Sequence, residues 1–331
     1  MVKNILVIGG FGFIGHHIVH ELQEQQFSVT IGSRSKTTSN NATTPVVKID
    51  LQQMSDKEIE HIISSFDFII FAGGADDRKL TKELAITFFY NENVIPCVRL
   101  AAISKNLKVK KIIILGSYFT HFHRLHPEWK MEEYHPYVQS RVLQHEESVA
   151  ASEGKTDIII LEIPYVFGSV PEKTPLWKPL IKYIKKMPIV FYTKGGTNIV
   201  SVTQVASATV GAINNLNSHQ QLIIGNQNVT WKELIGMIST ALGKKRIVIS
   251  IPTSIVKVVA YLTNIYFKIL KKQSGLDVYH FIKTQTSFTY LDIEESMQLL
   301  NYKKVEMQAS ITETVKACDF QKLKQNSISL N

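Results

Sequence analysis

The segment from Ile5 to Gly15 constrains the fold more than any other. Ile5–Ile8 is a short apolar run that ends in glycine, the mark of a buried strand. The turn then reads Gly9-Gly10-Phe11-Gly12-Phe13-Ile14-Gly15, and Gly15–Gln25 follows with Ile18, Val19 and Leu22 at helical spacing. Two patterns overlap in the turn, Gly10-x-Gly12-x-x-Gly15 and Gly9-x-x-Gly12-x-x-Gly15. Residues without a Cβ permit a tight turn, let the backbone approach a pyrophosphate and let the helix pack closely on the strand. The helix N-terminus adds free N–H groups and the positive end of a dipole. A strand, a glycine turn and a helix in this order predict a dinucleotide seated on the loop.

The alternation continues along the chain. Phe27–Ile31 and Pro45–Ile49 read as strands, and Asp56–Ser64 as a helix that Ser55 can cap. Phe68–Phe71 is a fourth strand, closed by Ala72-Gly73-Gly74. Glu83–Lys105 is a long helix or a helix pair, with Pro96 marking a kink or break. Lys111–Leu115 is a fifth strand, Tyr137–Ser152 a helix and Asp157–Glu162 a sixth strand. Strands alternating with helices form a parallel sheet covered on both faces, and strands apolar throughout suit its centre. The expected fold is α/β, a Rossmann-type doubly wound parallel sheet with a smaller C-terminal substrate-binding region. Residues 1–165 are expected to form the dinucleotide-binding domain. Residues 166–331 are expected to form mainly the substrate region, with 196–225 returning to the Rossmann sheet. Thr230–Leu242 reads as a helix with Thr230 as N-cap, Glu233 at the capping-box position and Gly243 as its stop.

Composition narrows the function classes. The net charge of +9 comes without a dense basic run, only pairs such as Lys110–Lys111, Lys185–Lys186 and Lys271–Lys272. Nucleic acid is therefore not an expected partner. The two cysteines, Cys97 and Cys318, stand in no metal spacing and suit a reducing cytoplasm. No run reaches the length of a membrane span. The nearest, Ile255–Leu270, contains Lys257, Asn264 and Lys268. It is expected to be a core helix covering the substrate pocket, with peripheral membrane contact as the alternative. Disorder is expected only near the Lys324–Asn331 tail.

The second strand bears on the choice of dinucleotide. An acidic residue at its end would hold the ribose 2′-hydroxyl of NAD. Here the strand runs into Gly32-Ser33-Arg34-Ser35-Lys36. Arg34, with Ser33, Ser35 or Lys36, suits a 2′-phosphate through charge-assisted hydrogen bonds. NADP is thus preferred, with NAD as the alternative.

An ordered series of segments then resembles the extended short-chain dehydrogenase/reductases, the NAD-dependent epimerase/dehydratase family. The series begins with Gly9-x-x-Gly12-x-x-Gly15, with Phe13 and Ile14 inside it, and continues with Asp50-Leu51, Phe71-Ala72-Gly73-Gly74 and Asn93-Val94. It goes on through Ile113–Ser117, Tyr137-x-x-x-Arg141 with Ser140 and Glu146, and Ile163-Pro164-Tyr165-Val166-Phe167-Gly168. Ile223–Asn226 and Thr230–Leu234 complete it. The resemblance implies that Asp50 and Leu51 hold adenine, that Ala72, Gly73, Gly74 and Asn93 lie beside the cofactor, and that Pro164 lies near the nicotinamide. It implies Tyr137 as acid/base, Ser117 as the group that orients the substrate oxygen, and Arg141 as the ribose clamp. A free tyrosine, with a pKa of about 10, is poorly matched to neutral pH, and a neighbouring cation brings it closer. Tyr137 and Arg141 lie four apart, so a helix places them on one face.

Three departures from the family shape the functional reading. The family has lysine where Arg141 stands, and the exchange is not conservative in geometry. Ser117 is followed by Tyr118-Phe119 in place of the Asp-Glu of sugar dehydratases. Thr197–Gln204 carries neither the arginine nor the acid that nucleotide-sugar enzymes place there. The tail from Pro252 to Phe320 resembles the reductase branch. The expected activity is NAD(P)-dependent reduction of a carbonyl, or oxidation of the alcohol, of a small non-nucleotide molecule. A sugar-modifying epimerase, or a non-catalytic relative because of Arg141, are the alternatives. His121, His123, His126 and His135 crowd the stretch between Ser117 and Tyr137, which is read as a loop at the substrate mouth. Tyr118, His121 and Val166 are the expected substrate contacts, no metal site is expected, the isolated cysteines make the cytoplasm the expected location, and the resemblance implies a homodimer.

Overall fold

The computed structural model describes residues 3–35, 44–171 and 173–328, with 319–328 described by backbone alone. Seven parallel strands form the main sheet. Their spatial order is Gln220–Ile223, Asp157–Ile163, Lys111–Ser117, Phe68–Phe71, Asn4–Ile8, Ser28–Ser33, Val46–Lys48. The chain order reverses beside Asn4–Ile8, so the strand's carboxyl end opens at a switch point, where ligands of such sheets bind. Strand residues alternate between two cores. Ile5 and Val7 pack with Ile18, Leu22 and Val205 on one face, and Leu6 and Ile8 with Ile59, Ile63 and Leu100 on the other. Burial on both faces explains why these strands are apolar throughout.

The first helix spans Phe13–Glu24 and starts directly from Gly12. Ser55 accepts from Glu58 N–H while Glu58 reaches back to the Ser55 backbone, the reciprocal cap of Asp56–Ile63. Thr230 and Glu233 do the same for Trp231–Ala241, and Gly243 ends that helix at φ +64°. The expected long helix after residue 83 is interrupted. Ala85–Phe89 passes through a π turn, Tyr90–Val94, into Ile95–Ser104. Pro96 lies in the first turn of the last segment, where its missing N–H has least effect, and the ladder widens just before it.

Two expectations need correction here. Of the stretch 196–225, only Gln220–Ile223 joins the main sheet. Gly196–Ser201 instead pairs with Tyr165–Phe167, Gln227–Thr230 and Phe288–Thr289 in a separate sheet, where Ile199 joins the core around Phe167, Trp231 and Leu234 while Val200 packs into a core of the main sheet. The apolar helix Thr253–Ile269 is not a core helix: of its seventeen residues only Ala260 is buried. Among the described residues no helix is long and apolar enough to cross a membrane. The last helix, Met307–Ile328, continues into the tail expected to be disordered.

Candidate active site

A cavity of about 640 Å³ opens at the carboxyl ends of the central strands. Its floor begins with Phe13 and Ile14 from the first helix turn and Ala72, Gly73 and Gly74 from the end of Phe68–Phe71. Gly9 holds φ +86°, and a Cβ there would stand 2.8 Å from the Ala72 carbonyl oxygen. A Cβ on Gly15 would collide with the Gly9 carbonyl oxygen. The three-glycine spacing thus lets the helix start against the strand ends. Gly12 N–H bonds Gly9 O at 2.7 Å, and His16 N–H bonds Gly12 O at 3.1 Å. The intervening N–H groups of the first turn have no helical acceptor, which suits a phosphate.

Ser117 ends the strand Lys111–Ser117, and Tyr137 and Arg141 come from the helix Pro136–Ser152; all three line the cavity. The Arg141 guanidinium donates to Leu115 O at 3.3 Å, Ala75 O at 3.3 Å and Gln144 Oε1 at 2.9 Å. Its buried Nε has no protein partner. Tyr137 N–H donates to Gly275 O at 2.9 Å, which ties the tyrosine turn to the C-terminal region. Tyr118, Pro164 and Val166 line the same cavity. The Tyr118 hydroxyl shares a hydrogen bond of 3.0 Å with Thr197, and burial pushes its pKa up to about 12.

Other expected site residues lie elsewhere. Gly9, Gly12 and Gly15 shape the turn beneath the cavity. Arg34 is exposed at the end of the second strand, beside Ser33, whose hydroxyl donates to Ser35 O. Lys36 lies outside the described residues. Asp50 accepts from Gln52 and Gln53 N–H, and Leu51 is buried in the core. Asn93 is wholly buried and does not itself line the cavity; its side chain accepts from Ala75 N–H at 2.8 Å and donates to Ser140 Oγ at 3.1 Å. It ties the loop after the fourth strand to the Tyr137 helix, and so acts on the site through position.

The stretch after Ser117 is helix, Phe119–Leu125, not loop, and its pocket side carries Phe119 while His121 lies outside the cavity wall. The other histidines do not line the cavity either. His126 stacks on Trp129 at 4.2 Å, His123 pairs with Glu132, and His135 accepts from Asp277 N–H at 3.1 Å. Among the described residues no group of histidine, cysteine or acid could hold a metal ion.

The structure also adds residues that the sequence reading passed over. Asp76, Asp77 and Arg78 line the cavity. They lie immediately beyond Gly74-Ala75, so their closeness to a strand end was a usable signal. Burial raises the Asp77 carboxyl above its usual range, opposed by Arg78. Tyr165, Trp177 and Tyr192 form an aromatic wall. Lys173 reaches back to the Phe11 carbonyl and His17 bonds Ser169 O at 2.8 Å, so the segment after Phe167 crosses the glycine turn.

A parallel sheet with a glycine turn at its switch point defines a Rossmann-type fold. The chain belongs to the NAD dependent epimerase/dehydratase family, whose sequence model matches residues 5–225. A dihydroflavonol 4-reductase-like protein of Synechocystis sp. is 21% identical over 263 residues, covering 73% of this chain and 74% of its own. Among solved structures, gox2253 superposes with a TM-score of 0.76 at 16% identity, over 97% of this chain and 98% of its own. The UDP-glucose-4-epimerase of Stenotrophomonas maltophila, solved with NAD bound, gives 0.68 at 16% identity, over 97% and 99%.

Proposed function

We propose that this chain is an NADP-preferring oxidoreductase that reduces the carbonyl, or oxidises the alcohol, of a small non-nucleotide molecule. The observation that carries the reading is the convergence of Ser117, Tyr137 and Arg141 on one cavity that Tyr165, Trp177 and Tyr192 also line. A wall of Tyr165, Trp177 and Tyr192 suits an apolar or ring-shaped substrate better than a sugar diphosphate. The likeness to a reductase-like relative agrees with it.

The residues present fit a dinucleotide. The N–H groups of Phe13, Ile14 and Gly15 would receive the pyrophosphate, Arg34 and Ser33 a 2′-phosphate, and the unpaired Arg141 Nε a ribose hydroxyl. The bound nicotinamide supplies the hydride. In reduction, Ser117 donates a hydrogen bond to the substrate oxygen and fixes its direction. Tyr137 gives its hydroxyl proton to that oxygen, and the Arg141 charge stabilises the tyrosinate left behind.

A second reading, epimerisation of a nucleotide sugar, draws on Arg78 and Lys173, two cations in the cavity wall that a diphosphate could meet. Titration with NADPH and NADH, followed by a screen of aldehydes, ketones and UDP-sugars, separates the two. Tight NADPH binding with turnover of an apolar carbonyl supports the first reading. Turnover of a UDP-sugar without net NADPH consumption supports the second, and binding of neither cofactor overturns both.

A further inference from the structure

The helix Thr253–Ile269 is apolar on its exposed side as well as on its inward side. Its inward side carries Val256, Ala260, Thr263, Asn264 and Phe267, each buried or half-buried. Its outward side carries Ile255, Val258, Leu262, Tyr266 and Ile269, spaced so that they form one stripe. Leu262 is 57% exposed and Ile269 73%. A monomer in water rarely keeps such a stripe uncovered.

A second exposed apolar face leads directly into it. Ile247–Ser250 pairs in parallel with Ile189–Tyr192, Ile247 opposite Ile189 and Ile249 opposite Phe191. Side chains two apart on a strand share a face, so these four project together, and all four are exposed. Only Ile251 and Pro252 separate the ribbon from the helix. Tyr192, the last residue of the ribbon, already lines the catalytic cavity.

Charge says what covers this surface. Between residues 173 and 276 the sequence has fourteen lysines and arginines and one acid, Glu233, which is engaged in its helix cap. This segment is therefore more positive than the whole chain at +9, and the remainder is net negative. Lys257 and Lys268 lie on one side of the helix, at the edge of an exposed apolar face that Tyr261 and Ile265 widen beyond the stripe, Lys271 and Lys272 follow the helix, and Lys244, Lys245 and Arg246 precede the ribbon. An isologous second copy would bring two such basic segments face to face, which opposes self-association through this surface. An exposed apolar face with lysines at its edge matches a helix lying in the interface of an anionic bilayer.

We infer that the helix Thr253–Ile269 and the adjoining ribbon dock this protein on an anionic membrane surface, with the helix in the plane of the headgroups. The ribbon joins the docked surface to the cavity, so an apolar substrate dissolved in the bilayer has a short path to the site. The docking surface stands whether or not the oxidoreductase reading does.

The test is sedimentation of the full chain with vesicles of phosphatidylcholine alone, and with vesicles of phosphatidylcholine and phosphatidylserine in equal parts. The expected result is binding at least about tenfold tighter to the mixed vesicles, weakened by added salt. Two variants change exposed residues only, Val258→Glu with Leu262→Glu, and Lys268→Glu with Lys271→Glu. Each should lose binding while cofactor affinity and melting temperature stay unchanged. Folded wild-type protein left in the supernatant with mixed vesicles overturns the inference. So does binding that the Val258→Glu, Leu262→Glu variant retains. A concentration-dependent dimer abolished by the same variant, without vesicle binding, assigns the surface to a second copy and overturns it too.

Discussion

The Arg141 guanidinium carbon lies 5.2 Å from the centroid of the Tyr137 ring. The two residues are one helical turn apart, and the same guanidinium is held by Leu115 O, Ala75 O and Gln144. The cation is thereby fixed under the tyrosine by the strand end, the loop after the fourth strand and its own helix. A lysine at this place would keep the charge with fewer directed bonds.

Tyr137→Phe should lower carbonyl reduction by roughly 10²–10⁴-fold, the usual range for a lost general acid. NADPH affinity should stay nearly unchanged, because the ring and the Arg141 contact are kept. Absorbance assays of turnover beside fluorescence titration of cofactor check both halves. Unchanged turnover would remove Tyr137 from the mechanism.

Arg141→Lys should remain active, since the charge persists, whereas Arg141→Met should lose turnover and stability together. The methionine variant strands two buried carbonyls, at a cost of about 1–3 kcal/mol each. Urea unfolding of both variants, read beside their kcat, tests the distinction. Equal activity in the two would show that no cation is needed beneath Tyr137.

Arg34→Ala should weaken NADPH by about 1.5–3 kcal/mol, the scale of a hydrogen bond to a charged group, and leave NADH as before. Arg34 is exposed, so its removal should not disturb the fold. Parallel titrations decide the matter, and an equal loss for both cofactors would refute a 2′-phosphate contact.

Gly15→Ala should abolish cofactor binding. The added methyl meets the Gly9 carbonyl oxygen, so turn and helix must separate. Isothermal titration, with circular dichroism as a control for folding, is the measurement. Wild-type affinity in a folded alanine variant would show that the turn has slack.

His135 is buried and accepts from the Asp277 N–H, and burial lowers its pKa from 6.5 to about 4. The folded chain therefore binds fewer protons than the unfolded chain between these values. Stability present above pH 6.5 should be lost as pH falls towards 4, by up to about 3 kcal/mol. Melting curves across this window should show the slope, and His135→Gln should flatten it. An equal slope in the variant would place the acid sensitivity elsewhere.

Much of the site was readable because the residues are tied to local geometry. Gly9, Gly12 and Gly15 announce a turn that only glycine permits, and Tyr137 and Arg141 meet through helical spacing alone. The stretch expected as a loop is the helix Phe119–Leu125, and helical rotation carries His121 away from the side that Phe119 presents to the cavity. The Asn93–Ser140 bond could not be read from the sequence, because the two residues lie 47 positions apart on different helices.

The helix Phe119–Leu125 and the π turn Tyr90–Val94 apart, the sequence by itself determined the alternation of strands and helices through Asp157–Glu162, the glycine turn and the strand ends that carry Ser117 and Ala72–Gly74. Those features follow from short-range periodicity and from the steric freedom of glycine. Tertiary structure alone decided that Tyr165, Trp177 and Tyr192 form one wall, that Gly196–Ser201 leaves the main sheet, and that the stripe from Ile255 to Ile269 faces outward. An apolar periodicity shows that a helix has an apolar side. Whether that side meets the core or solvent depends on contacts between residues far apart in the chain.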